Sequence, residues 1–181
     1  GDLEGERVLY ISMGTVLADK EAFFNMCIDA FSDFKGKVVI AAGERTDQSR
    51  LKASPDHFII SPYVPQLDVL QHADVFITHG GMNSVNEAIH FEVPLVVIPH
   101  DKDQPVVAAR LNELGAGFVL SEEDVNDETL KKAVNEVAAN EAYLKGIRKI
   151  KESFQNAGGV TRALAAVDRF VEEKKHGLPA N

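Results

Sequence analysis

The chain has 181 residues, 45% hydrophobic and 26% charged, which fills one globular domain and leaves two cramped. A formal charge of -9 with no basic cluster set against it excludes a nucleic-acid surface, and a single cysteine, Cys27, excludes a disulfide framework within the chain. No apolar run is long enough to span a bilayer, there is no signal-like start, and the first residue is Gly, so the expectation is a cytoplasmic protein trimmed at its N-terminus.

Residues 1–6 are polar and read as a linker or an expression remnant, 7–175 as one domain and 176–181 as a flexible tail. Val8 to Ser12 is a first strand, followed by the short turn Met13-Gly14-Thr15. Lys20 to Phe34 has Phe23, Phe24, Cys27, Ile28 and Phe31 at helical spacing and ends at Lys35-Gly36. Cys27 lies on that apolar face and reads as a small core residue. Val38 to Ala41 is a second strand, Glu44 to Pro55 a polar loop with a partial helix, and Phe58 to Ile60 a third strand stopped by Pro62 and Pro65. A turn or two of helix from Gln66 precedes a fourth strand, Val75 to Thr78. A helix from Met82 to about Phe91, a strand Leu95 to Ile98, a helix from Gln104 to Leu114 and a strand Phe118 to Leu120 follow. Three helices with apolar stripes close the chain, over Asp127–Ala138, Glu141–Phe154 and Val160–Lys174. Six short apolar runs separated by helices predict a Rossmann-like, doubly wound parallel sheet of order 3-2-1-4-5-6. The ligand crevice then lies between strands one and four.

Two loops meet at that crevice. One is Ser12 to Thr15; the other, His79-Gly80-Gly81-Met82-Asn83-Ser84, joins the fourth strand to the helix behind it. The glycine pair permits a sharp turn close to a ligand, and the first N–H groups of the helix, with its dipole, can hold a phosphate without Lys or Arg. Asn83 and Ser84 add short donors, and Glu87, on the same helix face, can accept from two sugar hydroxyls. The alternative is an ordinary Gly-rich turn with Ser as its cap. No G-x-G-x-x-G follows the first strand and no Lys follows a Gly loop, which disfavours NAD and ATP hydrolysis. Asp101-Lys102-Asp103 has a D-x-D form, but a phosphate already met by a helix terminus and a His needs no cation, so no metal is expected.

Three stretches taken together, Tyr63-Val64-Pro65-Gln66, His79 to Ser84 with Glu87, and Pro99 through Asp103-Gln104, resemble the C-terminal, donor-binding half of a UDP-sugar-dependent glycosyltransferase of the two-Rossmann (GT-B) type, in particular the bacterial macrolide group of glycosyltransferase family 1. The resemblance covers nearly the whole chain. It implies that Tyr63 and Val64 hold the uracil and that Gln66 and Glu87 hold the ribose. Ser12, Gly14, Thr15, His79, Gly81, Asn83 and Ser84 would hold the diphosphate, and Asp103 with Gln104 the sugar hydroxyls. Pro65 biases Val64 to an extended backbone whose N–H and C=O can pair with a base edge, with an apolar wall as the alternative role. His79 beside a dianion is expected to favour its charged form. His57, His72, His90, His100 and His176 read as structural. For Asp103 and Gln104 the alternative is helix capping.

The resemblance further implies an inverting transfer of a hexose to a small-molecule hydroxyl, with the catalytic base in an N-terminal acceptor-binding domain of the same polypeptide or of a separate subunit. This chain then supplies no catalytic base, only leaving-group stabilisation by His79, Asn83 and Ser84, and is inactive alone. Its substrate is a UDP-sugar, with no tightly bound cofactor. A free-standing donor-binding subunit of a two-chain GlcNAc transferase and a non-catalytic nucleotide-binding module are the alternatives. Two positions depart from the family pattern. Tyr63 replaces the Trp of plant members, which leaves a thymidine diphosphate sugar open, and Glu92 stands where Gly is usual. Glu92 is therefore expected at positive φ, in a position that Gly would relieve.

Overall fold

A computed structural model describes residues 3–14 and 20–176, with side chains to residue 174. Its element order is β1 (Val8–Ser12), α1 (Lys20–Ala30), β2 (Lys37–Ala41), β3 (Phe58–Ser61), α2 (Gln66–Leu70), β4 (Val75–Thr78), α3 (Met82–Phe91), β5 (Leu95–Val97), α4 (Gln104–Glu113), β6 (Gly117–Val119), α5 (Asp127–Ala139), α6 (Glu141–Asn156) and α7 (Gly159–His176), with 3-10 turns at Gln48–Arg50 and Glu122–Asp124. The strands form one parallel sheet in the order β3-β2-β1-β4-β5-β6, the parallel pairing that alternating strands and helices imply and the order expected above.

The sheet is apolar on both faces because both are covered. Along β1, Leu9 and Ile11 meet α1 and α5 through Phe23, Phe24, Cys27, Leu130 and Val134. Val8 and Tyr10 point the other way, into a core with Val85 and Ile89 of α3, Leu111 of α4 and Ile147 of α6. Tyr10 stacks on Phe76 of the neighbouring strand with ring centroids 4.6 Å apart. Cys27 is fully buried, and burial pushes its thiol pKa up, so it is a core residue.

The first helix is shorter than its apolar spacing predicts. After Ala30 the backbone tightens into i→i+3 turns, with the amides of Ser32 and Phe34 donating to Asp29 and Phe31. Phe34 then turns under the Arg7 guanidinium, 5.3 Å away, and edge-on to Phe31. The polar loop does contain a partial helix, capped by the Asp47 carboxylate on the Ser49 amide. Glu92 adopts φ 61, ψ 35, the left-handed conformation expected of it. Its side chain, however, is held by Arg148 Nε and Lys151 Nζ of α6, each at 2.8 Å, which offsets the strain that Gly would remove. No helix among the described residues is long and apolar enough to cross a membrane.

Candidate functional site

Parallel strands end on one side of the sheet, so the segments after β1, β4 and β5 converge there, at the point where the strand order reverses. An open cavity of about 560 Å³ lies on this side, lined among others by Ser12, Gly14, Tyr63, Val64, Gln66 and Glu87. Six of the positions singled out from the sequence thus share one space.

Its polar wall is a bonded cluster. The Gln66 side-chain amide donates to Glu87 Oε2 at 2.5 Å and to Ser84 Oγ at 3.3 Å, joining the start of α2 to the first turns of α3. Gln66 Oε1 in turn accepts from the Tyr10 hydroxyl at 2.9 Å. Tyr10 reads as plain core in the sequence, yet it orients the amide that orients Glu87. Its phenol is pushed up to about 12, first by burial and then by the charge of Glu87, so it stays a donor across physiological pH. Only its neighbour two residues along the same strand face, Ser12, hinted at a polar end to this strand.

The helix terminus is open. Gly81 is the residue before α3, in extended conformation, and no side chain caps the helix, so Ser84 is not the cap that an ordinary turn would use. Asn83 is exposed beside these free N–H groups. His79 is wedged between the two loops. A Cβ on Gly14 would come within 2.7 Å of its Cε1, and one on Gly81 within 2.6 Å of its Nε2. Both glycines are there to admit the ring. In the chain by itself the imidazole pKa is lowered, first by burial and then by the charge of His100, against weaker opposing contributions from Asp103, the Ser12 backbone and Asp101. Burial thus favours the neutral ring, whereas the charged form expected from the sequence belongs to the state with a dianion beside it.

Other assignments come out unevenly. Tyr63 is 76% exposed, with its carbonyl accepting from Ser61 Oγ, and offers a ring edge at the cavity mouth. Val64 is half-buried and packs on the core below. Asp103 precedes α4 but makes no capping hydrogen bond, so its carboxylate is free at the crevice. Gln104 turns inward: its Oε1 accepts from the His100 amide at 2.9 Å and its Nε2 donates to Asp101, leaving the side chain 3% exposed. It holds the turn from His100 to Asp103, where Lys102 sits at φ 59. Thr15 lies outside the described residues. Among the described residues no group of three or more His, Cys, Asp or Glu side chains stands close enough to hold a metal.

Two further residues bear on the site without having been singled out. Lys20, nearly buried at the start of α1, donates to the Gly14 carbonyl at 2.8 Å and fastens that loop. His100, read as merely structural, acts on His79 through its charge, and its Nδ1 stands 2.9 Å from Glu122 Oε2.

The C-terminal domain family of erythromycin biosynthesis protein CIII-like proteins matches residues 25–158. The uncharacterized UDP-glucosyltransferase YdhE of Bacillus subtilis is 60% identical over 172 residues, 95% of this chain and 44% of that protein. The NDP-glycosyltransferase YjiC of the same organism is 39% identical over 178 residues, 98% of this chain and 45% of its own length. The crystal structure of CalG4, the calicheamicin glycosyltransferase, superposes with a TM-score of 0.85 at 31% identity, over 93% of this chain and 44% of that one. The chain thus spans less than half the length of the relatives it matches.

Proposed function

The chain belongs to the erythromycin biosynthesis protein CIII-like C-terminal domain family, and from that membership and the crevice geometry we propose that it binds the nucleotide-sugar donor of a glycosyl transfer. The donor is a UDP-hexose. The observation that carries this reading is the Tyr10-Gln66-Glu87 cluster beside an uncapped helix start, which offers a carboxylate to ribose hydroxyls and amide donors to the adjoining phosphates. Tyr63 and Val64 take the base at the cavity mouth. Ser12, Gly14, Gly81, Asn83 and Ser84 surround the diphosphate, Thr15 is assigned to it from the sequence alone, and Asp103 reaches the hexose. Gln104 acts on the hexose through the turn that it holds.

In an inverting transfer, an acceptor oxygen attacks the anomeric carbon as the bond to the diphosphate breaks. Charge then accumulates on the departing oxygen, where the α3 N–H groups, the His79 imidazole and the Asn83 and Ser84 side chains stabilise it. The base that deprotonates the acceptor belongs to the part of the longer relatives outside this chain, in the same polypeptide or a separate subunit. YdhE's description as a UDP-glucosyltransferase supports uracil and glucose; YjiC's, as an NDP-glycosyltransferase, leaves the base open.

Calorimetric titration with UDP, UDP-glucose, TDP-glucose, ADP and NAD tests the reading. UDP and UDP-glucose are expected to bind, with a chelator making no difference, and no sugar is expected to move to an acceptor. Absence of UDP binding, dependence on a divalent cation, or turnover by this chain alone would overturn it.

A further inference from the structure

The side-chain amide of Gln66 is spent within the chain. Its Nε2 carries two hydrogens, and these go to Glu87 Oε2 at 2.5 Å and to Ser84 Oγ at 3.3 Å, while its Oε1 accepts from the Tyr10 hydroxyl at 2.9 Å. Gln66 therefore has no hydrogen left for a ligand. Of the two side chains that the sequence places at the ribose, only Glu87 keeps an open oxygen, Oε1, which accepts nothing from the described residues.

Donor and acceptor arithmetic gives these bonds one direction. A carboxylate only accepts, so the amide must turn its NH2 to Glu87; its oxygen then faces Tyr10, and the phenol must donate. The Ser12 side chain, the other hydrogen-bonding group acting on the phenol, is a hydroxyl and can give its own hydrogen to the phenol oxygen. Tyr10 has no freedom to swing away, being 1% exposed and stacked on Phe76. A rigid strand residue of β1 thus fixes the first residue of α2, which fixes the carboxylate of α3.

A ribose offers two hydroxyl donors on neighbouring carbons, whereas a 2'-deoxyribose offers one. A carboxylate held in one orientation can accept from both hydroxyls and loses a bond when one is missing, while a carboxylate free to turn meets either sugar nearly as well. We propose that Tyr10, acting through Gln66, makes this crevice select ribonucleotide donors over 2'-deoxyribonucleotide donors. Tyr10 is then a positioning residue, and the choice between a UDP-sugar and a TDP-sugar is made at the ribose rather than at the base. The inference rests on the donor-binding reading above and deepens it.

Calorimetric titration with UDP, 2'-deoxyuridine diphosphate and thymidine diphosphate tests it, since the first pair differs only in the 2'-hydroxyl and the second only in the base methyl. The wild-type chain is expected to bind UDP about tenfold tighter than deoxyuridine diphosphate, and the two deoxynucleotides alike. Tyr10→Phe should weaken UDP about fivefold and leave the deoxynucleotides nearly unchanged, so that the preference falls to about twofold. Gln66→Met, at a half-buried position on the rim, should collapse the preference in the same way and serves where Tyr10→Phe fails to fold. The double variant should lose no more than either alone, because both cut one chain. Equal binding of UDP and deoxyuridine diphosphate by the wild type overturns the proposal and leaves the donor reading standing. So does an unchanged preference in the variants, or an equal loss for all three nucleotides, which would make Tyr10 a structural residue only. A wild-type chain that binds none of the three defeats the donor reading and the proposal with it.

Discussion

Glu92 shows how two small effects compete at one residue. Left-handed backbone costs a side chain about 1–2 kcal/mol, which favours Gly, while Gly gives some of this back through its freer unfolded chain. The carboxylate also joins Lys151 and Arg148 of α6, and exposed pairs of this kind contribute about 0.2–1 kcal/mol each. At neutral pH these terms nearly cancel, so Glu92→Gly is expected within ~1 kcal/mol of the parent. The hydrogen bonds from Lys151, then Arg148, hold the carboxyl below its ordinary value of 4.5. A depressed carboxyl contributes stability that is complete above the unfolded value and lost as pH falls through the folded one. Once the pH has fallen through that lowered folded value the parent keeps the strain and loses the pairs, and Glu92→Gly should become the more stable protein there. Thermal melts of both proteins across that range check the crossing; parallel curves would show that the ion pairs carry no weight.

Glu87 and Asp103 separate the ribose from the hexose in the same way, by what each can reach. Glu87 sits in the cavity bonded to Gln66, whereas Asp103 stands free near His79 at the start of α4. Glu87→Ala should weaken UDP and UDP-glucose equally, by about 1–3 kcal/mol. Asp103→Ala should spare UDP and weaken only the sugar conjugate. Equal losses in Asp103→Ala, seen by calorimetry, would move that carboxylate to the nucleotide or to a cation.

Among the elements, the junction of β4 with α3 carries the most consequence. Gly81 has φ -62 and ψ 135, which any residue can adopt, so its glycine serves space rather than backbone freedom. A methyl there meets His79 Nε2 at 2.6 Å. Gly81→Ala should consequently cost little stability, ~1 kcal/mol or less, as Ala is merely a poorer residue before a helix. It should still weaken UDP by about tenfold through the displaced imidazole. Comparable losses in stability and binding would mean instead that the turn has collapsed.

The same junction marks what the sequence could and could not carry. Period-two and period-3.6 patterns with right-handed crossovers give the elements and their parallel pairing, and the Gly pair next to a β-branched strand locates the cradle. Tyr10 could not be found this way, because a buried Tyr in a strand looks like core until its hydroxyl is seen to meet Gln66. His100 escaped for a related reason: its partner Glu122 is 22 residues away, on the far side of β6. Gln104 is a different case. Its position suits a ligand contact, but its amide is spent on the turn that precedes it. Non-local pairings decide side-chain roles, and local pattern does not encode them.

At the scale of the molecule, the core ends at α6. Ile147 is fully buried and Gly146 lets the Gly115 backbone approach, where a Cβ would come within 2.3 Å of its carbonyl oxygen. Beyond Asn156 the chain turns at Ala157 and Gly158 into α7, whose Val160, Leu164, Val167 and Phe170 are all more than half exposed. Spaced three and four apart, they make one apolar face with none of the described residues covering it. An eighteen-residue helix of this kind gains no burial here and holds only by its own propensity, which is marginal in water. Removing residues 159–181 should therefore leave the melting temperature of the rest within about 2 °C, since even 1 kcal/mol would shift a domain of this size by about 2–4 °C. UDP affinity should also be unchanged, because the crevice is built from β1, α2, β4 and α3. Differential scanning calorimetry and titration of the truncated chain would check both. A drop of many degrees would mean that in solution α7 folds back onto the domain, where the apolar groove between α3, α4 and α6, about 500 Å³ and flanked by Met82, Val106 and Phe154, is the surface able to receive it.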